Sequence, residues 1–121
     1  MTIINNKPND FLVISGDDGL TLAMVLMGAN GVISVAGQAF PQLFSQMVTE
    51  GLNGNVSKSN EIHYKLYPLY NSLYKDGNPA GIKECLSYLE ICQSDLRLPL
   101  VNVEQSTKEE LIKITESLKA S

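Results

Sequence analysis

Tryptophan is absent, arginine occurs once (Arg97), histidine once (His63) and cysteine twice in 121 residues, and each scarcity narrows what the chain can do. With 9 Lys and Arg against 13 Asp and Glu, a formal charge of -4 and a pI near 4.8, there is no basic surface for phosphates. Nucleic-acid binding is therefore disfavoured. Long apolar runs are missing as well: Gly19 to Ala29 is broken by Thr21 and Gly28, well short of the roughly 18 residues that cross a bilayer. No membrane partner is expected. The opening Met1-Thr-Ile-Ile-Asn-Asn-Lys-Pro8 lacks the basic start, apolar core and cleavage site of a secretory signal, so the expected compartment is the cytoplasm.

Cys85 and Cys92 stand seven apart in what reads as one helix. Their backbones then lie roughly 10 Å apart, too far for a disulfide. They are expected to be reduced core or interface thiols. Neither has a second Cys or His63 at zinc-ligand spacing, so no metal site and no cofactor are expected.

What is present begins with Phe11-Leu-Val-Ile-Ser15, a β-rich run between Lys7-Pro8-Asn9-Asp10 and Gly16-Asp17-Asp18-Gly19. Gly31 to Ala36 repeats it. Both runs are apolar at consecutive positions, the pattern of parallel strands covered on both faces. Leu20 to Met27 supplies a helix between them, with Asp17 or Asp18 to cap it and Gly28 to end it, which makes a βαβ unit.

Beyond it the periodicity is helical throughout. Pro41 marks a first helical position, ahead of a stripe of Leu43, Phe44, Met47 and Val48 closed by Gly51 and Gly54. A long helix follows from about Val56 to Lys75, with Ile62, Leu66, Leu69 and Leu73 on one face, and Pro68 predicts a kink or break near Lys65 to Tyr67. Asn78-Pro79 caps a helix facing inward through Ile82, Cys85, Leu86 and Leu89. Leu96 to Val101 is extended because of Pro99. Ser106-Thr-Lys-Glu109 reads as a capping box opening a last helix with Leu111, Ile114 and Leu118 on one side.

A two-stranded parallel sheet with two apolar faces does not stand alone. Either further copies complete it or the chain is part of a longer α/β protein.

Several residues invite a functional reading. Gly16-Asp17-Asp18 lies where a strand ends, the face on which barrels collect catalytic groups; the simpler reading has one Asp capping the helix and the other solvated. No third oxygen ligand accompanies the pair. Ile33 by periodicity is core. His63 follows a core isoleucine without an acid-base partner and reads as a surface or packing residue. Tyr67, Tyr70 and Tyr74 form a stripe suited to an interface or to half-buried packing. Arg97 reads as an anchor for a carboxylate or a helix C-terminus. The Gly28 to Gly31 turn joins helix to strand, the reverse of a phosphate loop.

Val13-Ile-Ser-Gly-Asp-Asp18, Gly28-Ala-Asn-Gly-Val-Ile-Ser-Val35, Asn78-Pro-Ala-Gly-Ile-Lys83 and Leu96-Arg-Leu-Pro-Leu-Val101 together resemble the C-terminal part of the dihydrodipicolinate synthase family, over about Asp10 to Leu118. The resemblance implies a (β/α)8 TIM barrel of which residues 1–54 are the last two βα units and 55–121 a C-terminal extension of three helices. It implies condensation of pyruvate with aspartate semialdehyde through a lysine Schiff base, on the route to diaminopimelate and lysine, in a cytoplasmic homotetramer. It places Ile33 in main-chain contact with pyruvate, and Gly16, Asp17 and Asp18 in the wall of the substrate site.

The catalytic lysine, the proton-relaying tyrosine and the paired threonines belong to earlier strands of the family, so no catalytic residue is expected in this chain. Lys7, in a polar loop before the strand, is no substitute. Ala80-Gly81 departs from the family's usual apolar residue and proline. N-acetylneuraminate lyase, in the same superfamily, and a noncatalytic self-associating α/β module are the alternatives.

Overall fold

The βαβ pattern of the first third survives in the computed structural model, which describes residues 2–120, although its strands are short. Strand β1 spans Ile14–Ser15 and β2 spans Gly31–Val32; they pair in parallel, Ile14 opposite Gly31 and Ser15 opposite Val32. The expected runs of 11–15 and 31–36 are not fully laddered, and they are covered on one side only: Ser15 and Ala36 are buried. Phe11 is 55% exposed, Leu12 65% and Ile33 81%. A strand acquires its length from its neighbours' hydrogen bonds, and here each strand has one neighbour.

Helix α1, Thr2–Asn6, precedes the strands, buries no residue and was not foreseen from the sequence. Helix α2, Asp18–Leu26, joins β1 to β2 and ends through Met27 and Gly28, whose φ of +104° suits glycine. After β2 the chain tightens into a 3₁₀ turn at Ala36–Gln38 and then builds four helices: α3 (Pro41–Leu52), α4 (Val56–Leu73), α5 (Ala80–Tyr88) and α6 (Gln105–Lys119).

Helix α4 is the spine. Ile62, Leu66, Leu69 and Leu73, read from the periodicity as one face, are each no more than 2% exposed and pack with Phe44 and Met47 of α3 and Leu111 of α6. The expected break at Pro68 does not occur; α4 runs through it. Burying one such side chain returns about 1.5–3 kcal/mol. Leu66 and Leu69 flank the proline, and several such contacts outweigh the roughly 3 kcal/mol that an interior proline costs.

Other terminators differ from expectation. Gly51 lies inside α3, where Leu22, Val25 and Ser59 close over it, and Gly54 at φ +78° turns the chain instead. Pro79, not Asn78, is the residue at the N-cap of α5, without a side-chain cap. Ser106 falls inside the first turn of α6, so its capping box does not form. Glu104 precedes that helix, and its amide donates to Asp76 Oδ2 at 2.9 Å. Arg97 is exposed and meets no carboxylate among the described residues. Both cysteines are free, Cys85 buried and Cys92 exposed.

Candidate functional site

The two loops that leave the strands are built from short polar side chains bonding to nearby backbone. Ser15, 1% exposed, donates through Oγ to the Asp17 carbonyl at 3.0 Å and accepts from the Asp17 amide at 3.3 Å. Thr21, fully buried, donates to the same carbonyl at 2.7 Å and lies 3.1 Å from Ser15 Oγ. These bonds turn the chain sharply through Gly16, around which nothing approaches the position of a side chain within 4 Å.

Asp17 and Asp18 have opposite surroundings. Asp17 is exposed and its Oδ1 accepts from Leu20 N at 3.0 Å, so it is the N-cap of α2, as the capping reading expected. Asp18 departs from the solvated role given to the second carboxylate. It is 3% exposed, and Oδ2 accepts from Ala36 N at 2.7 Å and Val35 N at 3.2 Å. Its Oδ1 is buried without a hydrogen-bond partner. Two backbone donors lie in the loop after β2, and a carboxylate aimed at both satisfies them from the loop after β1.

Ile33 stands at the end of β2 with its amide donating to Ser15 O at 3.0 Å. Its side chain, expected from periodicity in the core, points largely into solvent. Gly16, Asp17, Asp18 and Ile33 are thus gathered at one end of the two-stranded sheet, with Asp18 tying the loops together. Lys7 sits before β1, half-buried, and its Nζ donates to the Phe11 carbonyl at 2.9 Å rather than standing free in solvent.

Helix α4 supplies neighbours that the sequence did not assign to this site. Burial and the charge of Asp18 push the Tyr70 hydroxyl above its ordinary range, and burial with Asp18 and Asp17 raises that of Tyr74. Tyr70 also packs edge-on against Phe44 at 6.3 Å between ring centres and donates to Met47 Sδ at 3.7 Å. It is core, whereas Tyr74 is partly exposed beside the acidic loop. Ser15 and Thr21 were missed too; polar residues inside an apolar run were the available signal. Among the described residues no group of three His, Cys, Asp or Glu side chains could hold a metal ion.

His63 lies among the rings of Tyr64, Tyr67 and Tyr70, 5.4 to 5.9 Å between centres, with Nδ1 buried and unpaired. Burial lowers its pKa from the ordinary value of 6.5. A base whose folded pKa is depressed contributes stability that is complete above the ordinary value and lost as pH falls through it toward the folded one. The stability of the chain relative to His63→Gln is therefore expected to drop between pH 7.5 and 5.5, measured by urea unfolding. A constant difference would contradict this account.

Comparison with known proteins places the chain closely. The family model described as the dihydrodipicolinate synthetase family matches residues 1–118. A 4-hydroxy-tetrahydrodipicolinate synthase of Flavobacterium psychrophilum is 45% identical over 118 residues, 98% of this chain and 40% of that protein. The crystal structure of dihydrodipicolinate synthase from Aquifex aeolicus superimposes with a TM-score of 0.93 at 33% identity, over 98% of this chain and 40% of that one. A structure described as the first monomeric dihydrodipicolinate synthase variant gives 0.91 at 33% identity, over 98% of this chain and 39% of its own. The chain thus spans about two fifths of the length of the relatives it matches. No helix among the described residues is long and apolar enough to cross a membrane.

Proposed function

The chain belongs to the dihydrodipicolinate synthetase family, a family of lyases, and on that premise we propose that it is the C-terminal part of an aldolase joining pyruvate to aspartate semialdehyde through a lysine Schiff base. In this reading residues 1–54 are the last two βα units of a (β/α)8 barrel and residues 55–121 the helical extension. The product enters diaminopimelate and lysine biosynthesis in the cytoplasm. The helices that follow β2, with no further strand among the described residues, support the C-terminal placement.

One observation carries the functional reading. The loops Gly16–Asp18 and 33–36 leave adjacent parallel strands at the same end, joined by the Asp18 hydrogen bonds, and that end is where barrel enzymes build their sites. A lysine amine attacks the keto carbon of pyruvate and water leaves; the resulting imine loses a methyl proton, and the enamine carbon attacks the aldehyde. The lysine, tyrosine and threonines for these steps lie outside this chain. Its own residues position: the Ile33 main chain meets pyruvate, and Gly16, Asp17 and Asp18 form part of the wall of the substrate site.

The test joins this chain covalently to the segment of the Flavobacterium psychrophilum relative that it does not match. With pyruvate and borohydride, the joined protein is expected to gain the mass of a reduced pyruvate adduct on a lysine of the donated segment, and to condense pyruvate with the semialdehyde. The chain alone is expected to do neither. A folded joined protein without an adduct would defeat the reading, as would turnover by the isolated chain. Cleavage of N-acetylneuraminate by the joined protein would move the substrate to that branch.

A further inference from the structure

We propose that Glu110 of α6 is a positioning residue for the site at the strand loops: it anchors the end of α4 so that the Tyr74 hydroxyl is held beside Asp17 and Asp18 as a hydrogen-bond donor for substrate. The substrate half of this proposal rests on the functional reading above and extends it to a side chain outside the two loops.

Packing sets the direction of α4. Leu22 and Val25, late in α2, meet Ser59, early in α4, around Gly51, whereas the ring of Tyr70 passes 3.9 Å from the Cβ position of Gly19, at the start of α2. The two helices therefore run antiparallel, and the end of α4 arrives at the loop that leaves β1. Asp17 Oδ1 lies 3.4 Å from the same Gly19 position. Tyr74, one helical turn beyond Tyr70, shares its face; it is 44% exposed, and its hydroxyl feels the charge of both aspartates. Carboxylates only accept hydrogen bonds, so the phenol adds a donor to a wall whose charged side chains have none.

The other side of this end of α4 is fastened to α6. Ser72, 2% exposed, donates through Oγ to Glu110 Oε1 at 2.6 Å, and the Lys75 ammonium pairs with Glu110 Oε2. Asp76 Oδ2 takes the amide of Glu104, just before α6, at 2.9 Å. Residues 72, 75 and 76 thus bracket Tyr74, and one carboxylate holds two of them. An exposed ion pair alone contributes little. A carboxylate that also accepts from a buried hydroxyl makes a shorter, stronger and directional tie, and here it fixes the backbone on both sides of the tyrosine. The bond from Tyr88 to Glu116, also 2.6 Å, joins α6 to α5 and leaves the end of α4 untouched.

In the 121-residue chain with isotope-labelled tyrosine rings, Asp17→Asn, which retains an N-cap, is expected to shift the Tyr74 resonance, assigned by its loss in Tyr74→Phe. In a Glu110→Ala background that response is expected to fall at least twofold, and Glu116→Ala is expected to leave it intact. Lys75→Gln removes the ion pair through an exposed residue that does not endanger the fold, and it is expected to weaken the response as Glu110→Gln does. In the covalently joined protein, Glu110→Ala is expected to raise KM for the semialdehyde at least fivefold with kcat and the pyruvate adduct unchanged. Tyr74→Phe is expected to do the same, and the double variant no more than either alone.

A Tyr74 response that ignores Glu110→Ala and Lys75→Gln refutes the positioning, whatever the joined protein does. So does an unchanged KM beside a trapped adduct, or a loss of kcat, adduct and melting together in the variant, the mark of a purely structural tie; in both cases the functional reading stands. A Glu110-dependent response with no pyruvate adduct in the unsubstituted joined protein supports the positioning and defeats the functional reading.

Discussion

Asp18→Ala is expected to cost about 3 kcal/mol of stability, read as a lower urea midpoint. The change removes the acceptor of the half-buried Val35 amide and the buried Ala36 amide and leaves both donors without it. An unsatisfied buried donor costs about 1–3 kcal/mol, and relief of the buried carboxylate offsets part of the total. Asp18→Asn keeps one oxygen for the two amides and is expected to cost about 1 kcal/mol. Asp17→Ala removes only an N-cap bond on the surface, again about 1 kcal/mol. Amide exchange at Val35 and Ala36 separates the cases: it accelerates in Asp18→Ala and not in Asp17→Ala. Equal effects of the two alanines would show that the buried carboxylate does not hold the loop after β2.

The contrast between these neighbours shows where sequence reasoning stops. Asp17 was legible because an N-cap acts on the amide three residues ahead, inside one reading window. Asp18 was not, because its partners are seventeen and eighteen residues away and a backbone amide has no sequence signature. The same division runs through the fold. The faces of α4 and α6 followed from the 3.6-residue period, since Leu66, Leu69, Leu111 and Leu118 need only their own helix to be aligned.

The β-runs were recognised from their β-branched and apolar composition, yet their ladder length depends on neighbours that two strands lack. Ile33 illustrates the consequence, since its exposed side chain sits where a wider sheet would enclose it. The supposed capping box at Ser106 failed for a local reason. Glu104, in extended conformation at ψ 155°, already ends the incoming chain, so the helix starts one residue before the serine.

Gly81→Ala is expected to be the most damaging single-methyl change in the chain. A Cβ at this position would collide with the Leu73 carbonyl oxygen and lie 2.8 Å from its carbon, both backbone atoms of the last turn of α4. No side-chain rotation relieves such a contact; α5 has to move away from α4, opening the packing of Ile82 and Cys85, which are 2% and 1% exposed. Overpacking costs typically 1–3 kcal/mol and more where backbone must shift, so a loss of at least about 3 kcal/mol is expected. Alanine's advantage over glycine within a helix, about 1 kcal/mol, does not recover it.

Gly81 therefore sets how closely α5 approaches α4. A thiol reagent gives an independent readout: the native chain reacts rapidly at exposed Cys92 alone, whereas Gly81→Ala exposes Cys85 as a second reactive group. Gly16→Ala is the matched control, since no atom lies within 4 Å of its Cβ position, and it is expected to change stability by less than about 0.5 kcal/mol. Native-like melting of Gly81→Ala with Cys85 still protected would mean that the α4–α5 contact yields without cost and that the glycine is not what sets the spacing.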